Sequence, residues 1–167
     1  VFIDFEASAL LDASWPIEVG YASSTGVQDG FLIARDPSWS LEQWDRRAEA
    51  VHGICLADLE HGLDAAEALT RLEDGVGAAL VVCDAPEFDN FWLGRLAEAA
   101  GRPPAFVIRD WCDVLPTGQS PEELAELTNS ARAAEKVRHR ALPDARVLRA
   151  IWQASWAKAG ADWAQAE

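Results

Sequence analysis

The stretch V-F-I-D-F-E, residues 1–6, has the pattern of an apolar β-strand that carries two acids. Side chains alternate between the two faces of a strand, so Asp4 and Glu6 point to the same side. Neighbouring carboxylates repel each other, and burial makes their charged forms still more costly. The stretch therefore predicts a central strand whose two acids need a compensating cation.

Four later segments complete a predicted sheet. I-E-V-G-Y-A (17–22) and V-Q-D-G-F-L-I-A (27–34) are joined by the turn S-S-T-G and indicate two antiparallel strands that continue from the first. A-L-V-V-C-D (79–84) is a short apolar run typical of a buried parallel strand, and A-F-V-I-R-D (105–110) predicts another strand.

Helical patterns separate and follow these strands. Apolar spacing, helix-ending glycine and a Ser-Pro start predict helices over 41–51, 64–76, 87–100, from 120 onward and about 143–157. This order of elements predicts an α/β domain with a five-stranded mixed sheet, three antiparallel strands and then two parallel ones, flanked by helices. We expect a single domain over residues 1–167.

The composition of the chain indicates which classes of partner it can bind. The formal net charge of −14 by itself argues against nucleic acid, but residues 130–158 carry seven basic and two acidic side chains. This basic segment is either a surface for a phosphate backbone or a solvated helix face. No run of about 18 apolar residues occurs, so no membrane partner is expected. Three cysteines without metal-site spacing indicate reduced thiols in a cytoplasmic protein.

Further acids lie near the predicted ends of strands. Parallel sheets place sites at the carboxyl ends of their strands; Asp84 ends the predicted fourth strand, and Asp89 lies just beyond it. H-R-A-L-P-D-A-R-V-L (139–148) places Asp144 in a first helical turn, five residues after His139. Structural alternatives remain, because Asp84 can cap a helix and Asp144 can stabilise a helix dipole. Oxygen ligands without cysteine favour Mg²⁺ or Mn²⁺ over Zn²⁺.

Three of these segments together resemble the motifs of a known family. D-F-E (4–6), F-D (88–89) and H-R-A-L-P-D (139–144) are similar, in order and interval, to the three motifs of the DEDDh 3′–5′ exonucleases. This family includes proofreading exonuclease subunits, ribonuclease T and oligoribonuclease, and has the ribonuclease H-like fold. V-H-G-I (51–54) also resembles a segment that these enzymes carry between their first and second motifs. The third motif is the most specific of the matches.

The resemblance implies a function and a role for each motif residue. Asp4, Glu6, Asp89 and Asp144 would bind two Mg²⁺ or Mn²⁺ ions, and His139 would act as the general base. The reaction would be hydrolysis of terminal phosphodiester bonds at the 3′ ends of single-stranded or short DNA or RNA. Its products would be nucleoside 5′-monophosphates.

The chain departs from the family pattern at two places that affect substrate contacts. After the first motif, A-S-A (7–9) replaces the usual Thr-Thr-Gly, and Ser8 is predicted to contact the terminal nucleotide through its remaining hydroxyl. Arg140 follows the motif histidine where glycine is common. Arg138 and Arg140 are predicted to bind the substrate backbone, with Lys136 as a weaker third contact.

Two other functions fit the same fold. One is a non-catalytic module that binds nucleic acid or another partner, and the other is an endonuclease. The presence of all four motif acids and the motif histidine favours an active exonuclease. The choice between DNA and RNA, the length of the substrate and the oligomeric state stay open at this level.

Six of the eight tryptophans fall into two groups. Those in or near loops would either stack on bases or cover the core: Trp15, Trp39 and Trp44. Those of the last helical region would pack in the core or against a second copy in a homodimer: Trp152, Trp156 and Trp163.

Overall fold

A five-stranded mixed sheet forms the centre of the fold. Its strands are β1 (Phe2–Ala7), β2 (Pro16–Ala22), β3 (Gln28–Leu32), β4 (Val81–Cys83) and β5 (Ile108–Asp110). They lie in the order β3-β2-β1-β4-β5, with β1–β2 and β2–β3 antiparallel and β1–β4 and β4–β5 parallel. The predicted sheet is confirmed. The computed structural model describes residues 1–137 and 139–160, so the predictions for Arg138 and Trp163 lie outside the described residues.

Helices flank this sheet. They are α1 (Arg46–His52), α2 (Ala65–Val76), α3 (Pro86–Ala99), α4 (Pro121–Ala134) and α5 (Ala141–Lys158). The helix predicted over 41–51 is divided, because Ser40 caps a short 3₁₀ turn and Asp45 then caps α1. In the described part of the chain, no helix is long and apolar enough to cross a membrane.

Successive side chains of β1 point to opposite faces of the sheet and so enter two different hydrophobic cores. Ile3 and Phe5 belong to the larger hydrophobic core, which also contains buried side chains of α2 and α3. Phe2 faces the other way and belongs to a smaller core with residues of β4 and α5. Asp4 and Glu6 share the face of Phe2 because they are two and four residues further along the strand. The two acids therefore face the side of the sheet on which α5 lies.

The first turn of α5 lies directly on the backbone of β2 and β3. Gly20 of β2 pairs with Gly30 of β3 in the antiparallel register. A Cβ atom at Gly20 would lie 2.1 Å from the backbone nitrogen of Leu142, and one at Gly30 would lie 2.8 Å from the Leu142 Cβ. Only residues without a side chain permit this approach, which brings the start of α5 close to β1.

The tryptophans mainly serve the core. Trp15 and Trp39 are fully buried and stack with ring centroids 5.5 Å apart, and Trp44 tilts against Trp15 at 5.7 Å. Trp152 and Trp156 donate their indole N–H groups to the same backbone carbonyl, each at 3.0 Å. The core interpretation of Trp15 and Trp39 therefore holds, and neither ring is open to a base.

Candidate active site

Three carboxylates from β1 and α5 converge at one end of the sheet. Asp4 and Glu6 come from β1, and Asp144 comes from the start of α5. One oxygen of each group lies within 4.8 Å of the others. The fold thus brings together three of the four acids that the motifs predict as metal ligands.

Asp89, the fourth predicted ligand, lies beside Asp4 but is held separately. Its carboxylate accepts hydrogen bonds from the Cys83 thiol and from the backbone amide of Phe5. Among the charged groups that act on Asp4, Asp89 raises its pKa the most. Asp89 is therefore an immediate neighbour of the converging acids.

The environment of Phe88 differs from the one predicted for α3. Helical spacing predicts Phe88, together with Phe91 and Trp92, on the core face and Asp89 on a neighbouring side. Asp89 is only 3% exposed and shares a helix stripe with the buried Trp92, whereas Phe88 is 50% exposed. An acid takes that face here because it points toward the end of β1, where the other acids are.

Burial raises the pKa of all four motif acids, and repulsion between carboxylates adds to it for three of them. Burial is the main cause for Asp4, whose pKa lies well above its usual range, and repulsion from Asp89 and Glu6 adds to it. Burial likewise raises the pKa of Glu6 to about 8 and that of Asp89 to about 7. The pKa of Asp144 is also raised, chiefly by burial. These acids cannot all ionise near neutral pH without a compensating cation.

The donor set fits a hard divalent cation. The three converging groups are half-buried carboxylates, and no thiol or imidazole is among them. Such oxygen ligands suit Mg²⁺ or Mn²⁺, and a divalent charge would offset the repulsion between them. Asp4, Glu6 and Asp144 could therefore hold a metal ion, with Asp89 adjacent.

His139 lies at the edge of the acidic cluster, directly before α5. Its backbone has a φ of 56°, in the left-handed region that histidine adopts more readily than most residues. Its backbone N–H and that of Arg140, 3.2 Å from Oδ2, both donate to the Asp144 carboxylate. The exposed His139 side chain lines the same cavity as the three acids. The fold therefore brings the predicted base and the predicted ligands to one place.

A cavity of about 630 Å³ opens over these groups. Its size falls within the range of about 300–1,000 Å³ typical of small-ligand sites. Exposed aliphatic side chains form part of its lining: Leu10, Leu11 and Val51. The same cavity thus offers charged groups and an apolar surface.

Arg132 of α4 also lines this cavity. Among residues 1–137 and 139–160, it has no ion-pair partner, and its charge helps to lower the pKa of Asp144. Other cations of the basic segment bind groups that do not line the cavity: Arg146 (Glu135, 3.8 Å), Lys158 (Glu123, 2.8 Å) and Arg149 (carbonyl of Ser23, 3.5 Å). The sequence places Arg132 in the basic segment but does not distinguish it from its neighbours.

The positions of Ser8 and Asp84 differ from those that the sequence suggests. Ser8 is 1% exposed, its hydroxyl accepts a hydrogen bond from the Trp15 amide at 3.1 Å, and it does not line the cavity. This geometry argues against the predicted contact of Ser8 with the terminal nucleotide. Asp84 does not cap α3, because Ala85 is the N-cap and no side chain completes the cap. Asp84 instead lines the cavity and raises the pKa of Asp4.

Glu18 is a buried acid that the motifs do not include. It lies on β2, directly opposite Glu6 of β1 in the antiparallel register. Its carboxylate accepts hydrogen bonds from the Arg140 guanidinium, at 2.9 Å from Nε and 2.5 Å from Nη2, and from the Ala141 amide at 2.9 Å. Arg140 is thus turned toward the sheet, which argues against its predicted phosphate contact. The acid within the apolar run I-E-V-G is the sequence signal that points to Glu18.

The V-H-G-I segment forms the end of α1 at the cavity. His52 is buried, and its Nδ1 accepts a hydrogen bond from the Ile54 amide at 3.0 Å, so the neutral ring carries its proton on Nε2. Burial lowers the His52 pKa, which favours this neutral form. Gly53 then ends the helix with a φ of 71°. His52 therefore serves the wall of the cavity through its hydrogen bond to the backbone.

Known exonucleases share this fold. The chain is similar to E. coli exonuclease I in complex with a dA16 oligonucleotide, with a TM-score of 0.67 and 15% identity over 95% of this chain and 40% of that one. The nuclease domain of 3′hExo, a DEDDh family member bound to rAMP, has a TM-score of 0.69 and 14% identity over 95% and 91% of the two chains. Exonuclease X in complex with 5′ overhanging duplex DNA has a TM-score of 0.60 and 17% identity over 98% and 95%.

These similarities confirm the predicted ribonuclease H-like fold and the predicted likeness to DEDDh exonucleases at the level of structure. No protein-family model and no curated protein sequence matches the chain. The chain spans about two fifths of exonuclease I, and nearly all of the 3′hExo nuclease domain and of exonuclease X.

Proposed function

We propose that this chain is a metal-dependent 3′–5′ exonuclease that releases nucleoside 5′-monophosphates from single-stranded or short DNA or RNA. The observation that carries the proposal is the convergence of Asp4, Glu6 and Asp144, with oxygens within 4.8 Å of one another, next to His139. The fold gives independent support, because the similar solved structures are exonucleases.

In this proposal the four acids are the metal ligands. Asp4, Glu6 and Asp144 bind directly, and Asp89 completes the set from the start of α3. Two divalent ions would neutralise charge on the scissile phosphate and assist both the attacking water and the leaving oxygen. Three of these acids lie on β1 and α5. Because both elements are packed in the fold, the ligands need to move little when substrate binds.

His139 acts as the general base. Its exposed imidazole accepts the proton of the attacking water at a ring nitrogen, and imidazole is suited to this exchange near neutral pH. The left-handed backbone at His139 turns the chain just before α5, while Asp144 accepts the amide hydrogen bonds of the turn. The base is therefore connected to a ligand through the backbone of a single turn.

The cavity lining suits the end of a nucleic-acid chain. The exposed aliphatic residues Leu10, Leu11 and Val51 offer an apolar surface to a nucleobase, while the acids and their ions would receive the phosphate. A cavity of about 630 Å³ lies within the size range of small-ligand sites and so has room for a terminal nucleotide.

A labelled oligonucleotide tests the proposed function. Single-stranded DNA and RNA carrying a 5′ label are incubated with the protein and Mg²⁺ or Mn²⁺, with a chelator control. We expect a ladder that shortens one nucleotide at a time from the 3′ end. Internal cleavage of a circular or 3′-blocked substrate would instead indicate an endonuclease, and binding without cleavage under every metal condition would indicate a non-catalytic module.

Arg132 should bind the substrate backbone. Replacing Arg132 by alanine removes a cation that lines the cavity and has no ion-pair partner in the described ranges 1–137 and 139–160. We expect KM to rise by about threefold to tenfold, roughly 0.7–1.4 kcal/mol, and kcat to change little. The salt dependence of binding should become shallower, because one phosphate contact contributes a slope of about −0.7 on single strands.

Arg149 provides the matched control for charge. Arg149→Ala removes the same charge from α5, where the guanidinium binds the Ser23 carbonyl rather than the cavity. Its KM and salt slope should stay close to those of the wild type. Equal effects of the two substitutions would mean that Arg132 acts only through net charge.

The stability of the metal-free protein should decrease as the pH rises. The pKa values of Glu6 and Asp89 are raised from 4.5 and 3.8 to about 8 and about 7, so the folded chain holds more protons than the unfolded chain between these limits. The free energy of unfolding therefore falls as the pH rises through this range. In chelator, we expect a lower Tm at about pH 8 than at about pH 5.5. Each kcal/mol lost from the free energy of unfolding should lower the Tm by about 2–4 °C in a chain of this size.

Mg²⁺ or Mn²⁺ should reverse this trend. Protons and metal compete for the same carboxylates, so the ion should raise the Tm most at the higher pH. Calorimetry with and without metal, at constant ionic strength, measures both effects. The Glu6→Gln variant should show a shallower pH dependence in chelator. The proposed site would be contradicted if the Tm rose with pH in chelator and did not change when either metal was added.

A further inference from the structure

Glu18 occupies an unusual position for an unassigned acid. It is 6% exposed, and β-sheet pairing places it directly across from Glu6. Like charges on directly opposite strand positions destabilise a sheet, and a buried carboxylate without partners is more costly still. Its presence therefore requires a specific compensating partner.

Arg140 and the Ala141 amide provide that compensation. Four hydrogen bonds reach the Glu18 carboxylate, three from the Arg140 guanidinium at 2.5–3.1 Å and one from the Ala141 amide at 2.9 Å. Arg140 also offsets the effect of Glu18 on its neighbour, because Glu18 raises the pKa of Glu6 and Arg140 lowers it. The ion pair therefore leaves little net charge beside Glu6.

The contact reaches the turn between the two functional residues of the third motif. His139 directly precedes Arg140, and Asp144 follows Ala141 within the first turns of α5. Within the turn, the Arg140 amide donates to Asp144 Oδ2 at 3.2 Å. From its place on β2, Glu18 thus binds the backbone segment that connects His139 to Asp144.

We propose that Glu18 is a positioning residue, which fixes the turn carrying His139 and Asp144 by binding Arg140 and the Ala141 amide. This inference rests on the proposed function for its effect on catalysis, but the contact itself is a property of the metal-free fold. Buried ion pairs contribute little net stability compared with apolar packing, which fits a role in placing the turn.

A second ion pair in the molecule offers a matched control. Glu73 of α2 binds the Arg102 guanidinium at 2.7 Å and accepts a hydrogen bond from the Ala105 amide at 2.8 Å. The arrangement repeats that of Glu18, one arginine and one backbone amide. Glu73, Arg102 and Ala105 do not line the cavity.

The experiment compares Glu18→Gln with Glu73→Gln. In Glu18→Gln, amide exchange measured by NMR on the metal-free protein should become at least about tenfold faster at Ala141, because a hydrogen bond to a charged group is lost. In Glu73→Gln, the faster amide should be Ala105. Unchanged exchange at Ala141 in Glu18→Gln would overturn the proposal, whatever the activity.

Steady-state kinetics provide the second readout. Loss of a partner that orients a ligand typically lowers activity by about 10–100-fold, so kcat should fall by this factor in Glu18→Gln, with KM changed less. Glu73→Gln should keep the wild-type kcat even if both variants lose similar Tm. Equal kcat values for the two variants would overturn the proposal. A wild-type protein without nuclease activity would overturn the proposed function, while the Ala141 exchange would still test the contact.

A variant of Arg140, the more exposed partner, tests the same contact if Glu18→Gln does not fold. Arg140→Gln removes the same contact from a side chain that is 37% exposed. The double variant Glu18→Gln/Arg140→Gln should have a kcat within about threefold of the more impaired single variant, because both substitutions break one unit. Multiplicative losses in the double variant would show that the two residues act independently and would overturn the proposal.

Discussion

Replacing His139 by alanine should lower kcat by about 10²–10⁴-fold, the usual contribution of a general base, or about 3–5 kcal/mol in the barrier. The side chain is exposed at the cavity and is not among the converging ligands, so metal binding should persist. Calorimetry should therefore show the same rise in Tm with Mg²⁺ for variant and wild type. Single-turnover assays at saturating substrate measure the loss in the chemical step.

Two further variants make this result specific. His139→Asn keeps a residue that tolerates the φ of 56°, so its loss of activity cannot arise from backbone strain. His61→Ala removes an exposed histidine outside the cavity and should leave kcat unchanged. Wild-type rates in either His139 variant would exclude the general-base role.

Replacing Asp4 by asparagine should abolish turnover and, in chelator, stabilise the fold. Asp4 lies at the centre of the acids, and its pKa is raised by burial and then by Asp89 and Glu6. A neutral amide removes that repulsion but cannot replace a carboxylate as a ligand for a hard ion. Activity assays together with the Tm in chelator and in Mg²⁺ separate the two effects.

The expected pattern has opposite signs under the two conditions. Without metal, Asp4→Asn should melt at a higher temperature than the wild type at about pH 8, where repulsion is strongest. With Mg²⁺, the variant should gain much less than the wild type. Asp74→Asn, at an exposed position of α2, serves as the control and should change neither activity nor the metal response. An active Asp4→Asn enzyme would refute the proposed ligand set.

The sheet could be predicted because its signals are local. Apolar runs, the turn S-S-T-G and the order of elements are enough to derive five strands and their directions. The shared face of Asp4 and Glu6 also follows from the alternation of side chains along a strand. The place of Asp144 beside them does not follow from this geometry and was implied only by the resemblance of the third motif.

The differences from the sequence predictions arose where a side chain binds a partner outside its own segment. Arg140 and Glu18 are 122 residues apart, so the basic segment alone could not show which of its arginines is already bound. Ser8 looked like a substrate contact because its hydroxyl partner, the Trp15 amide, belongs to the following loop. Phe88 is exposed and Asp89 is buried because the site, rather than hydrophobicity, decides that face of α3.

The glycine pair beneath α5 has a consequence for how substitutions will be tolerated. Gly20 and Gly30 take no part in the proposed reaction. A methyl group added at Gly20 would lie 2.1 Å from the backbone nitrogen of Leu142, and a backbone atom cannot move away by a change of rotamer. At Gly30 the obstacle is the Cβ atom of Leu142 at 2.8 Å, whose position is set by the backbone of α5 and is the same in every rotamer. In a saturation library selected for activity, position 20 should therefore be depleted of all variants as strongly as the motif acids. Position 30 should be depleted as well, because the start of α5 would have to shift to accept a side chain at either glycine.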